Sequence, residues 1–315
     1  MPAYNAEPYL ARAIESCLRQ TEPPEEIIVV DDGSRDRTAE VAESFPAPVR
    51  VIRMGANQGV SAARNRGVRE STGDWLAFLD ADDWFLPQKL EWQRKCIREN
   101  PNAVLVYTGF HIINLDGEQQ EGYFFSQTEL AWRVRYHCPI LLSTSVLRRE
   151  AFDAVEGFDP AYPAAQDWDL WLRLAARYSV QAFAAVKEPL AVYRKVQGSL
   201  SSSAMRYLVE RASIIESRSL FQTSGLPRWL LGRRIHAFNY FDTAVAVREE
   251  GSDRYLEFML RSLALWPLPG RMLPMSRYKT ALVMCLQTLG WRSNPFRQLR
   301  PPAHRHGPGW AKRRE

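Results

Sequence analysis

Two apolar periods alternate along this chain. In Glu25 to Val30 the run EEIIVV ends in four consecutive apolar residues, the pattern of a strand buried on both faces. Leu10, Ala13, Ile14, Cys17 and Leu18 recur instead at helical spacing, behind Asn5 as a predicted cap and with Glu7 in the favourable first turn. The alternation then continues. A helix carrying Ala39, Val41, Ala42 and Phe45, capped by Ser34 or Asp36, is broken by Pro46 and Pro48 before a strand from Val49 to Arg53. Next come a helix from Val60 to Glu70 with Arg64 and Asn65 on its exposed side, and a buried strand from Trp75 to Leu79. Pro87 introduces a helix from Gln88 to Glu99, followed by a strand from Ala103 to Thr108. Strands and helices alternating at this length predict an α/β fold with a mostly parallel sheet flanked by helices.

Acidic residues change the picture, because they gather where strands end. Asp31 and Asp32 close one predicted strand and Asp80, Asp82 and Asp83 follow another. In open parallel sheets the ligand sits beyond the carboxyl ends of the strands, so both clusters are expected on one edge. Asp80 and Asp82 flank the small Ala81 and project to the same side of extended backbone, where two such oxygens can hold a hard divalent cation. An isolated Asp-x-Asp is more often a solvated turn; the second cluster on the same edge is what favours a site. Residues 109 to 138 fit either a loop over an acceptor site or a peripheral hairpin. Pro139 to Phe152 carries a strand and the start of a helix. Gln166-Asp167-Trp168-Asp169 then opens a helix with Leu170, Trp171, Leu174 and Ala175 on its buried face. One acid suffices as a cap there, which frees Asp167 for another task. Past Ser199 to Ser203 the chain turns to helical segments rich in Arg, Trp and Leu, with no further acid cluster at a strand end and no internal repeat. The domains expected are 1–203, a helical region 204–291 and a basic, disordered tail 292–315.

The bulk numbers add three constraints. A chain of 315 residues, 46% hydrophobic, can bury a full core. Cys17, Cys96, Cys138 and Cys285 show no CxxC spacing or regular framework, which fits free thiols in a reducing compartment, hence the cytoplasm. The net charge of +5 is concentrated at the end: Arg292 to Glu315 holds seven basic residues against one Glu, leaving the rest near −1. Such a tail aids solubility and would suit anionic lipid, as would Trp266, Leu268, Met272, Leu273 and Met275 near Arg271 and Arg277. No nucleic acid is expected as partner. No apolar run reaches the ~18 residues of a membrane span, and no signal peptide precedes the first motif.

Pro2 to Asn5 (PAYN), Val29 to Thr38 (VVDDGSRDRT), Asn57 to Gly67 (NQGVSAARNRG), Leu79 to Asp83 (LDADD) and Gln166 to Ala175 (QDWDLWLRLA) occur in that order. Together they resemble the family 2 glycosyltransferases, inverting enzymes of the GT-A fold that move a sugar from a nucleoside diphosphate to an acceptor. The resemblance covers roughly the first 200 residues. It implies that Asp32 reads the base, that Pro2, Tyr4, Asn5 and Glu7 line the nucleotide pocket, and that Arg64 faces the diphosphate. It further implies that Asp80 approaches ribose and metal, that Asp82 holds Mg²⁺ or Mn²⁺, and that Asp167 is the base. The implied donor is a UDP- or dTDP-sugar and the acceptor a glycan or lipid-linked hydroxyl in surface polysaccharide synthesis, on the cytoplasmic face of the membrane.

Three positions depart from the family pattern. Gln166 stands where many members have Glu, which removes one negative charge beside Asp167 without removing the base. An apolar strand usually precedes PxYN, whereas here Met1 does, so the expectation is a start further upstream or a gap in the sheet. Val196 in Tyr193-Arg194-Lys195-Val196 stands where many members carry a His that assists the metal. Two other function classes remain on the residues alone. A sugar nucleotidyltransferase also uses paired acids and a cation, but needs a Gly-rich phosphate loop that is not seen here. A sugar-nucleotide-binding protein without catalysis fits the short start and Val196.

Overall fold

The structure, a computed structural model, describes residues 1–196, 204–217, 228–249 and 254–268. The chain divides into two compact units, 1–200 and 201–315. In the first, β1 (Pro2–Ala3), β2 (Ile27–Asp31) and β3 (Val49–Arg53) make a parallel sheet in the order β1-β2-β3. These strands alternate with α1 (Glu7–Leu18), α2 (Thr38–Glu43) and α3 (Val60–Glu70). All five residues of β2 are buried because both faces are covered. Ala63 of α3 packs with Ile28 and Val30, while Leu10 and Ile14 of α1 pack with Val29. Fully burying each such side chain is worth roughly 1.5–3 kcal/mol, which is why the continuous apolar run forms a central strand.

A second sheet joins β4 (Trp75–Ala77), β5 (Trp84–Phe85), β6 (Leu105–Ile113), β7 (Gln119–Tyr123), β8 (Ser145–Arg148) and β9 (Phe183–Arg194). Its order is β4-β8-β6-β9-β5, with β7 on β6. Only β6 and β9 run parallel; the other pairs are antiparallel. Among the described residues parallel pairing is thus confined to β1–β3 and one pair of the second sheet. Helices α4 (Lys89–Glu99), α5 (Gln127–Arg133), α6 (Arg149–Asp153) and α7 (Gln166–Tyr178) complete the unit. Residues 109–138 settle as the β6–β7 hairpin and then α5, which a Ser126–Glu129 capping box opens.

The structure corrects several local expectations. Strand β4 stops at Ala77, because Phe78 turns out of it to meet Phe158 edge-on at 5.3 Å between ring centroids. Asn5 does not cap α1: it takes a left-handed φ of 49°, receives the Arg35 N–H on Oδ1 at 2.9 Å and donates its own N–H to Ser34 Oγ. Neither Asp167 nor Asp169 caps α7, whose flanking residue is Ala165 without a side-chain cap.

The amino-terminal residues do form a strand. Pro2 and Ala3 pair with Val30 and Asp31, and Val30 N–H donates to Met1 O at 2.8 Å. That strand is two residues long, and a cavity of about 520 Å³ lies between β2 and β4, lined in part by Met1, Ile27, Ile28, Trp75, Leu76 and Leu79. Ala77 is exposed on its rim although it lies within a sheet.

The second unit contains α8 (Ala204–Ser217), α9 (Arg228–Glu249) and α10 (Tyr255–Leu265). Leu208, Ala244, Val247, Phe258 and Met259 form its core, and Arg211 pairs with Asp242 at 2.7 Å. None of the described helices is long and apolar enough to cross a membrane. The predicted boundary near residue 203, the tail 292–315, and Arg271, Met272, Leu273, Met275, Arg277 and Cys285 lie outside the described residues, as does most of 266–291. Among the described residues Cys17, Cys96 and Cys138 are free thiols.

Candidate active site

The site is built around the loop Asp80–Asp83, which follows Leu79, and around α3 and the start of α7. Arg64 is buried on α3, and its Nη2 meets Asp80 Oδ1 at 2.5 Å. Its Nε and Nη1 are buried and have no hydrogen-bond partner. A guanidinium so held, with donors left over, suits an added anion, since buried unpaired donors are costly.

The three acids of this loop have separate roles. Asp80 carries the ion pair with Arg64. Asp83 is fully buried; its Oδ2 accepts from Ser143 Oγ at 2.5 Å and its Oδ1 from the backbone N–H of Arg194 at 3.0 Å. Ser143 Oγ also lies 3.3 Å from the Asp80 N–H, which binds the loop to the turn ahead of β8. Burial first, then the neighbouring Asp82 and Asp80 charges, raises the Asp83 carboxyl well above its ordinary value. Asp82 accepts no hydrogen bond from the described side chains, and burial followed by the charge of Asp80 raises its carboxyl to about 6. Among the described residues no three His, Cys, Asp or Glu side chains form a complete metal cage. Magnesium-type sites need only one or two carboxylates, with phosphates and water filling the remaining positions, so Asp82 beside Asp80 fits such an ion.

Asp167 is half-buried in the first turn of α7, and its Oδ1 accepts the Trp168 N–H at 2.8 Å. Burial raises its carboxyl above the usual range, while Arg64 pulls it down and Asp80 pushes it up, so all three share one electrostatic neighbourhood. The Cys138 thiol lies beside the same carboxylate, whose charge adds to burial in raising it, and donates to Ile140 O at 3.3 Å. Asp169 differs: fully buried, it accepts from Arg173 Nε at 2.8 Å, and Arg173 goes on to Val155 O and to Gly157 O at 2.7 Å. It therefore anchors the loop ahead of α7. Asn65 grips the same loop, donating to Phe158 O at 2.8 Å and accepting its N–H at 3.0 Å. Gly157 takes φ 69°, and a Cβ there would lie 2.8 Å from Asn65 Oδ1, so a side chain is excluded.

The nucleotide-side residues are arranged more indirectly than the sequence suggests. Both Asp32 oxygens are engaged by backbone N–H groups, of Gln58 at 2.8 Å and Gly59 at 2.9 Å. Glu7 binds Arg37, and Pro2 lies within β1. Tyr4 is exposed at 45%. Sequence reasoning did not single out Asp83, Ser143 or Cys138, and it mentioned Arg194 only as part of a departing motif. A buried acid directly after an Asp-x-Asp was the one available signal for Asp83.

The profile described as Glycosyl transferase family 2 matches residues 1–155. YwdF of Bacillus subtilis, named a glycosyltransferase, is 34% identical over 184 residues, covering 56% of this chain and 67% of that protein. TuaG of the same organism, named for teichuronic acid biosynthesis, is 29% identical over 206 residues, covering 64% and 80%. Across other relatives the matched stretch spans 26% to 65% of their length. The crystal structure of S. aureus TarS 1–349 with UDP-GlcNAc superposes with a TM-score of 0.60 at 19% identity, covering 92% of this chain and 86% of that one, a likeness of fold.

Proposed function

The chain belongs to the family 2 glycosyltransferases, with the GT-A fold, and on that premise we propose that it transfers a sugar from a nucleoside-diphosphate donor to a hydroxyl of a glycan or lipid-linked acceptor. One observation carries this reading: Arg64, fixed by Asp80, keeps two buried donors without partners beside Asp82, a carboxylate that no described side chain neutralises by hydrogen bonding. An anion and a cation are therefore wanted side by side, as a metal diphosphate supplies them. UDP- or dTDP-sugars are the proposed donors and surface polysaccharide the proposed product. Support comes from the UDP-GlcNAc bound by TarS and the polysaccharide for which TuaG is named.

Asp82, with Asp80 beside it, would hold Mg²⁺ or Mn²⁺, which when bound stabilises negative charge on the leaving diphosphate. Arg64 orients the diphosphate. Asp167 takes the proton of the acceptor hydroxyl as its oxygen bonds to the anomeric carbon. The bond from that carbon to the diphosphate oxygen breaks, and its electron pair leaves with the nucleotide. A single displacement of this kind inverts the anomeric centre. A carboxyl raised above the usual range by burial is a stronger base than an exposed one. Asp32, Asn5 and Glu7 shape the nucleotide pocket by fixing the loops at 34–37 and 58–59, with Pro2 setting β1 at its floor and the exposed ring of Tyr4 offered to the base.

The test pairs two variants in a nucleotide-sugar transfer assay. Asp167→Asn should lower turnover about 10² to 10⁴ fold with nucleotide affinity near wild type. Asp169→Asn should act through stability, costing about 1.5–3 kcal/mol because the half-buried Arg173 loses a charged acceptor and keeps only Val155 O and Gly157 O. Full turnover by a folded Asp167→Asn enzyme would remove Asp167 from the mechanism. Pyrophosphate as the product would indicate a nucleotidyltransferase, and no turnover with any donor a binding protein.

A further inference from the structure

Arg194 ends β9 and is held there by its own backbone, which donates to Asp83. Its guanidinium lies 5.0 Å from the Trp84 ring centroid and 5.4 Å from that of Tyr9. The same indole carries a second cation, Arg12, at 3.4 Å. Neither arginine belongs to an ion pair among the described residues, and Arg194 Nε is buried without a hydrogen-bond partner. Two guanidiniums on one ring repel each other, and the Arg194 charge does depress Arg12, after burial. On the acidic side, the charge of Arg194 acts on Asp82 ahead of that of Arg64. The loop carrying Asp82 therefore stands beside a cationic wall with uncommitted donors.

We propose that Arg194 binds the terminal phosphate of the donor's diphosphate and receives the charge that develops there as the sugar departs. The assignment rests on the transferase reading above. When the bond between the anomeric carbon and the phosphate oxygen breaks, the electron pair stays on that oxygen and the acceptor's proton goes to Asp167. The new charge appears on the phosphate nearest the sugar. A guanidinium offers forked donors to phosphate oxygens, and it is weakly hydrated enough to be stacked between Trp84 and Tyr9 without losing that function. Val196, two residues on, has no polar atom in its side chain to share this task. The stacked rings fix the guanidinium ahead of binding, so little rotamer freedom is lost on contact.

The experiment compares nucleoside diphosphates with their monophosphates. Uridine, thymidine and guanosine pairs are titrated by calorimetry against the full chain in Mn²⁺, using wild type, Arg194→Met and Arg194→Lys. Methionine keeps the stem stacked on Trp84 and removes the charge. For the pair that wild type prefers, Arg194→Met should weaken the diphosphate about 10- to 100-fold, the range for a lost charge-assisted hydrogen bond, and move the monophosphate by less than about 2-fold. Arg194→Lys should restore part of the difference. Equal weakening of both nucleotides, or no weakening, overturns the proposal. So does tighter binding of Mn²⁺ alone to Arg194→Met with unchanged discrimination, which would make Arg194 only a counter-ion of Asp82. If wild type binds none of the pairs, the donor reading falls and this assignment falls with it.

Discussion

Asp80, Asp82 and Asp83 lie within four positions, and their surroundings give them different chemistry. Asp83 is closed off by Ser143 and the Arg194 N–H, Asp80 is tied to Arg64, and Asp82 alone of the three has no side-chain donor among the described residues. Asp82→Asn should therefore abolish Mn²⁺-dependent binding of UDP while leaving metal-free binding unchanged, because a neutral amide holds a hard cation poorly. Unchanged Mn²⁺ dependence in a calorimetric titration would show that another group holds the metal. At this scale the sequence conveyed that acids cluster and that Asp167 and Asp169 fall at the start of a helix, though neither caps it. It did not convey which acid is consumed internally: both oxygens of Asp32 are bound to N–H groups 26 and 27 positions away, and no local pattern encodes such partners.

Strand β1 pairs only with Val30 and Asp31, leaving Ile27 and Ile28 beside the cavity that separates β2 from β4. Adding three β-branched apolar residues ahead of Met1 would extend β1 in parallel register along Ile28 and Ile27. Two or three newly buried side chains at roughly 1.5–3 kcal/mol each, an upper bound, should raise the urea midpoint clearly. An unchanged midpoint would mean that the added residues do not enter the sheet. Element types were readable from apolar period, as α1, β2, β3 and α3 show. Element ends were not. β4 loses Phe78 to an aromatic cluster with Phe152 and Phe158, residues that only the folded chain brings near.

The stability of the whole molecule carries an identifiable pH signature from Lys89. This side chain is fully buried, donates to Gln93 Oε1 at 2.7 Å, stands 4.0 Å over the Phe85 ring, and has no acid partner among the described residues. Burial lowers its ammonium to about 7 from an ordinary 10.5. Between pH 7 and 9 the unfolded chain keeps a proton that the folded one releases, so stability should rise with pH, by at most ~1.4 kcal/mol per unit from this group. Cys17, pushed by burial up to about 11 from an ordinary 9.0, opposes this from about pH 8 upward, where an unfolded thiol ionises first. Lys89→Met should raise stability near pH 7 and flatten the slope in urea titrations at pH 7, 8 and 9. A slope equal to that of wild type would show that Lys89 is not its source.

The sequence by itself determined the alternation of helices and strands, the gathering of acids beyond strand ends and the ordered motifs of the family, because side-chain period and motif order are properties of the chain read locally. Tertiary structure decided the direction of the second sheet, the pairing of Arg64 with Asp80, and the closure of Asp83 by Arg194 across 111 positions. Those outcomes depend on which edges and loops meet once the apolar faces are buried. A strand's period states that it is buried, but neither which neighbour covers it nor which way that neighbour runs.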